Sequence, residues 1–159
     1  MTGLISISIN DLWQRWLQTQ LPAAVANGSV DPTYSGGTGY PIGALARCAS
    51  SGNVANATAT ATLSSAANVT NYITGFEVTG AGATAGLPVT VTVTGLIGGV
   101  TLSYTYDFAS SPTTGNLPLV VDFLPAIPAS GANTAIAVSC PASGLGGTNN
   151  TVTVHGYRV

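Results

Sequence analysis

From Val54 onward, apolar and polar residues alternate with a period of two, and a chain patterned this way buries its apolar side only by forming sheets. The cleanest run is residues 87–95, where Val89, Val91 and Val93 interleave with Thr90, Thr92 and Thr94. Residues 55–63 alternate Ala with Thr. Residues 72–79 carry Tyr72, Phe76 and Val78 on one phase. Residues 100–108 place Val100, Leu102, Tyr104, Tyr106 and Phe108 together, and runs at 117–123, 134–140 and 151–159 complete the set. Gly, Pro and Asn clusters at 80–86, 98–99, 110–116, 125–133 and 141–150 separate them. About seven short strands punctuated by turns predict an all-β, antiparallel β-sandwich or jelly roll over residues 54–159. Thr suits the outward phase, because its branching favours the strand while its hydroxyl stays hydrated.

Residues 1–53 are patterned differently. Residues 4–9 alternate like a short strand with Ile5, Ile7 and Ile9 on one face. Asn10 stands where a helix N-cap belongs, and Asp11 suits the positive end of the helix dipole. Leu12, Trp13, Trp16, Leu17 and Leu21 then form one stripe at helical spacing, and Pro22 ends it. The spacing predicts a short amphipathic helix over residues 11–21. Isolated helices of this length are marginal in water, so its apolar face is expected to dock, either on its own sandwich or on a partner. Residues 23–52 carry turn dipeptides and no periodicity, which predicts a loop-like arm.

Only 5% of residues are charged and none is lysine, whereas soluble domains carry about 25%. The basic residues are Arg15, Arg47 and Arg158, and the acids are Asp11, Asp31, Glu77, Asp107 and Asp122. A surface hydrated by Thr, Ser, Asn and Gly suits packing against other proteins, or an extracellular or virion exterior, better than a crowded cytosol, and a small secreted domain would use it too. With a net charge of −2 there is no basic patch to neutralise phosphates, so no nucleic-acid partner is expected. No stretch reaches the ~20 apolar residues of a membrane helix, and residues 1–9 lack the features of a signal peptide. No membrane partner is expected either. Four Asn-X-Ser/Thr sequons, at Asn27, Asn56, Asn68 and Asn149, are what so much Asn and Thr produces by chance. Uncovered, uncharged edge strands would aggregate, which predicts burial of the edges in a homo-oligomer.

The residues of catalysis are sparse. The sole histidine, His155, shares a strand face with Thr151, Thr153 and Tyr157, opposite Val152 and Val154. No Gly-X-Ser-X-Gly elbow accompanies it. One His and two distant Cys have no zinc spacing, and Glu77, Asp107 and Asp122 lie in no calcium-loop pattern. The Gly-rich stretches at 35–39 and 80–86 lack the Lys of a phosphate loop. The expectation is therefore no enzyme, no metal and no cofactor. Cys140 follows Ile136 and Val138 in phase and is expected as a buried free thiol; Cys48 leaves one disulfide formally open. Six tyrosines keep a glycan-binding module as the alternative, although Tyr104 and Tyr106 fall on an apolar phase.

Four stretches carry a resemblance. Tyr72-Ile73-Thr74-Gly75-Phe76-Glu77-Val78-Thr79-Gly80-Ala81-Gly82 and Leu117-Pro118-Leu119-Val120-Val121-Asp122-Phe123 resemble small structural proteins of tailed-bacteriophage virions. So do Pro128-Ala129-Ser130-Gly131-Ala132-Asn133-Thr134-Ala135-Ile136 and Thr153-Val154-His155-Gly156-Tyr157-Arg158-Val159. The resemblance implies a head-decoration (cement) protein on the capsid exterior: β-rich, often trimeric, and bound to the major capsid protein where capsomers meet. A receptor- or glycan-binding head-fibre or tail component is the alternative. Residues 1–53 match nothing in that family, so Leu12, Trp13, Trp16, Leu17 and Leu21 as a partner-binding stripe rest on helical spacing alone.

Overall fold

The computed structural model describes residues 40–41, 43–108 and 117–159. The expected strand at 4–9 and the helix at 11–21, with its stripe Leu12, Trp13, Trp16, Leu17 and Leu21, lie outside the described residues.

Two antiparallel sheets make the body. Eight strands are long: β1 (Leu45–Ser50), β3 (Ala59–Leu63), β4 (Asn71–Ala81), β6 (Pro88–Thr94), β7 (Leu102–Asp107), β8 (Leu119–Pro128), β9 (Ile136–Cys140) and β11 (Asn149–Arg158). Three more are two-residue pieces: β2 (Val54–Ala55), β5 (Ala85–Gly86) and β10 (Gly144–Leu145). The first sheet runs β1-β11-β4-β8, with β2 also paired to β11. The second runs β3-β9-β6-β7, and β5 pairs with β10 as a separate ribbon. Among the long strands the pairings nest along the chain. The first pairs with the last (β1 with β11), then β3 with β9, β4 with β8, and β6 with β7 at the centre.

The alternation read from sequence explains the packing. Ala59, Ala61 and Leu63 of β3, Val91 and Val93 of β6, Ile136, Val138 and Cys140 of β9, and Val152 and Val154 of β11 are all buried between the sheets. Their Thr and Ser neighbours point out. Phe76 and Val78 of β4, together with Leu96 and Phe108, complete the core. Gly80 is where Phe108 packs: a Cβ there would collide with the Phe108 ring.

Two buried asparagines tie neighbouring segments together through their amide N–H groups, although the buried Oδ1 of Asn71 has no partner. Asn71 donates through Nδ2 to the carbonyls of Leu63, Ser64 and Thr134 at 3.2, 3.2 and 2.9 Å, pinning the end of β3 to the approach of β9. Asn150 accepts from Ser143 Oγ at 2.7 Å and donates to the Pro141 carbonyl at 2.9 Å. Asn56, Asn68 and Asn133 adopt positive φ in turns, the conformation Asn tolerates best after Gly. Two of the four sequon asparagines, Asn56 and Asn68, are thus turn-formers.

Four expectations are corrected. Residues 45–50, inside the expected arm, form β1 and pair along β11. The sequence Leu-Ala-Arg-Cys-Ala-Ser hides this edge strand because it lacks a clean apolar phase. Tyr72 does not share a face with Phe76 and Val78. The pairing of β4 with both neighbours shifts around Thr74, the extra residue puts Ile73 inside, and Tyr72 is turned outward. The strand begun at Leu119 continues through a cis Leu124–Pro125 bond to Pro128, where a turn was expected. Val100 and Leu117 fall outside their strands and are 51% and 84% exposed.

Candidate interaction surfaces

The outer face of the first sheet gathers the described side chains with chemical potential. Register sets Cys48 of β1 opposite His155 of β11, His155 opposite Gly75 of β4, and Gly75 opposite Asp122 of β8. The Ser51 N–H donates to the Val152 carbonyl at 2.9 Å. Three pairs along, Cys48 and His155 are therefore a non-hydrogen-bonded pair, the kind whose side chains approach most closely. Glu77 Oε1 lies 3.8 Å from His155 Nε2, and these side chains are 50% and 41% exposed. A contact so open to solvent adds little to stability. Asp122 leans over Gly75, and a Cβ there would stand 2.7 Å from the Val121 carbonyl oxygen, so the backbone of β8 leaves room only for glycine at this place in the row. Among the described residues, no three of His, Cys, Asp and Glu converge closely enough to hold a metal ion.

The two cysteines are far apart in character. Cys48 is exposed, Cys140 is buried, and both are free. Burial pushes the Cys140 thiol up to about 11 from an ordinary 9.0, because a thiolate in the core would lose its hydration. Stability is unaffected while both the folded and the unfolded thiol are protonated. It falls as pH rises from 9.0 toward about 11, since the unfolded chain releases a proton that the folded chain retains. Urea melts at pH 8 and pH 10.5 should show this loss, and Cys140→Ala should reduce it. In the native protein at pH 8, iodoacetamide should add one adduct, at Cys48. Two rapid adducts would contradict a buried Cys140.

The outer face of the second sheet is different. Register aligns Thr60 of β3, Ser139 of β9, Thr92 of β6 and Ser103 of β7 in one row of hydroxyls across all four strands. Thr60 and Ser139 hydrogen-bond to each other at 2.9 Å. Thr62, Ala137 and Thr94 form the next row, and Thr90 lies opposite Thr105 on the other side. Neighbouring rows and strands space these groups by about 6.7 Å and about 4.8 Å. Asp107, at the end of β7, is the one charged residue these four strands carry. No single strand reveals this surface, because each contributes only one to three outward hydroxyls and the register assembles them.

Four tyrosines of the sheets are engaged with other aromatic rings. Tyr72 and Tyr157 stack on each other, centroids 4.8 Å apart and planes 7° apart. Tyr104 and Tyr106 turn inward against Phe76 and Phe108 in edge-on contacts at 5.3 and 4.5 Å. Burial raises the hydroxyls of Tyr104, Tyr106 and Tyr157 above their usual range.

No family model, curated protein or solved structure matches this chain. What it does must be read from its own surfaces.

The two sides of the sandwich are finished unequally. At one side β1 and β11 pack over β3, and every inward residue of β3 is buried. At the other, the edge strands β7 and β8 bury none of their residues fully. The inward Leu102, Tyr104 and Tyr106 and the inward Leu119, Val121 and Phe123 stay partly exposed. Val120 and Leu124, on β8, are 53% and 99% exposed. The alternation places these inward residues in the core; only the assembled sheets reveal that they line an unsealed seam.

Proposed function

We propose that this protein is a non-enzymatic structural component of a tailed-phage virion, a head-decoration (cement) protein that binds the major capsid protein from the capsid exterior as a homotrimer. The observation that carries this reading is the hydroxyl face of the second sheet. It is broad and almost free of charge, so it can lie against another protein without burying unpaired ions, and its Thr and Ser groups supply hydrogen bonds at modest ordering cost. The nested strand pairing supports a jelly roll in particular. An eight-stranded ribbon folded back on itself pairs its strands in this order, and virion proteins use the architecture widely. The phage-like wording of residues 72–82, 117–123, 128–136 and 153–159 points the same way.

The test is co-sedimentation of the purified protein with empty phage heads. Wild-type protein should pellet with heads, and Thr92→Arg should weaken binding at least tenfold by placing an unpaired charge at the centre of the hydroxyl face. Deleting residues 1–21 should abolish binding while the far-UV spectrum of the sandwich remains, if the Trp13 and Trp16 stripe is the anchor. Protein that ignores heads but binds immobilised glycans would replace this reading with the receptor-binding one.

A further inference from the structure

The seam between β7 and β8 calls for an occupant. Both strands are sheet edges with one row of backbone groups unpaired by the described strands. β7 has no proline, no bulge and no basic residue, the usual devices that keep an edge from pairing. The six partly exposed residues lining the seam (Leu102, Tyr104, Tyr106, Leu119, Val121 and Phe123) are not a surface patch added to a finished core. They pack on the core's own Phe76 and Phe108, through the Phe76–Tyr104, Phe76–Phe123 and Tyr106–Phe108 ring contacts.

That continuity decides what kind of partner fits. Interfaces formed after folding, between proteins that also exist apart, are about as polar as ordinary surface; permanent ones resemble a domain core cut in half. This molecule has one surface of each kind. The hydroxyl face suits a partner met later, whereas the aromatic seam needs one present from the start. The charges agree with a copy of the same chain. The seam strands carry only Asp107, at the end of β7, and Asp122, whose side chain points to the outer face over Gly75. Neither stands among the inward aromatics, so copies can meet there without opposing like charges. We infer that the β7–β8 seam is the contact between copies of this chain, with Tyr104 and Phe123 at its centre. This rests on the homo-oligomeric part of the function proposed above and assigns it a place.

The experiment is the solution mass by light scattering of full-length wild type, of Tyr104→Arg with Phe123→Arg, and of Thr153→Arg as a control on the outer face of the first sheet. Wild type and the control should have the same multiple of 15.8 kDa, and the seam variant should fall to one chain while keeping its far-UV spectrum. An oligomeric wild type whose mass the seam variant leaves unchanged overturns the seam while sparing the oligomer. A monomeric wild type overturns both, and protected β7 and β8 amides in that monomer would mean the chain covers its own seam. Should the variant unfold, hydrogen exchange of the wild-type oligomer decides. Amides of β7 and β8 should exchange at least tenfold more slowly than on dilution to monomer; no difference would remove the seam as the contact.

Discussion

Phe76→Ala should destabilise the sandwich by about 4 kcal/mol, the cost of removing a large buried ring plus that of the cavity it leaves. Phe76 is 1% exposed and lies on β4, an interior strand of the first sheet paired on both sides. Its ring touches Tyr104 of β7 and Phe123 of β8 at 5.3 and 6.2 Å between centroids, and so links the two edge strands through the core. Domains of this size hold only about 5–15 kcal/mol in all, so the variant should be marginal. Urea unfolding should show the midpoint displaced with the slope unchanged. Phe76→Leu should lose much less, and Val120→Ala, at an exposed position, should lie within about 0.5 kcal/mol of wild type. A Phe76→Ala cost below 1 kcal/mol would mean the sheets are not packed as described.

The second large effect is expected at a residue with no side chain. Gly156→Ala should cost about 3 kcal/mol, at the upper end of what overpacking does. A Cβ at Gly156 would run into the carbonyl oxygen of Tyr72 and sit 2.8 Å from Leu63 Cδ1. The leucine could turn away; the carbonyl could not. It belongs to β4 beside the extra residue Thr74, where the pairing with β11 changes register. Relief would have to come from moving that strand, and with it the Tyr72–Tyr157 stack. Near-ultraviolet circular dichroism should therefore change along with the unfolding midpoint. An alanine accepted without loss would mean that the register shift is not where the structure puts it.

These two positions differ in how far the sequence reveals them. Phe76 is legible: it stands in phase with Val78 in an alternating run, and such a residue is buried in almost any sandwich. Gly156 reads only as a weak point in a strand, because crowding is a property of the neighbouring strand and not of the chain around it. The same division holds for the surfaces. That Thr90, Thr92 and Thr94 point outward follows from alternation with Val89, Val91 and Val93. That Thr92 lies in line with Thr60, Ser139 and Ser103 follows from register alone. The edge strand β1 is hidden in the sequence for a related reason. An edge strand needs less apolar phase to hold it, since backbone pairing with β11 does much of that work.

By itself, the sequence determined the all-β class, the inward and outward phases of β3, β6, β9 and β11, the inward phase of Cys140 and the near-absence of charge. Each of these follows from local rules: a period of two, the turn chemistry of Gly, Pro and Asn, and the residue counts. Tertiary structure alone decided which strands are neighbours, the turn of Tyr72 out of the core at Thr74, the alignment of Cys48 with His155, the hydroxyl rows, and the open seam between β7 and β8. Those depend on contacts between residues far apart in the chain. A strand's pattern says which of its faces is apolar, but not what will lie beside it or whether anything will cover it.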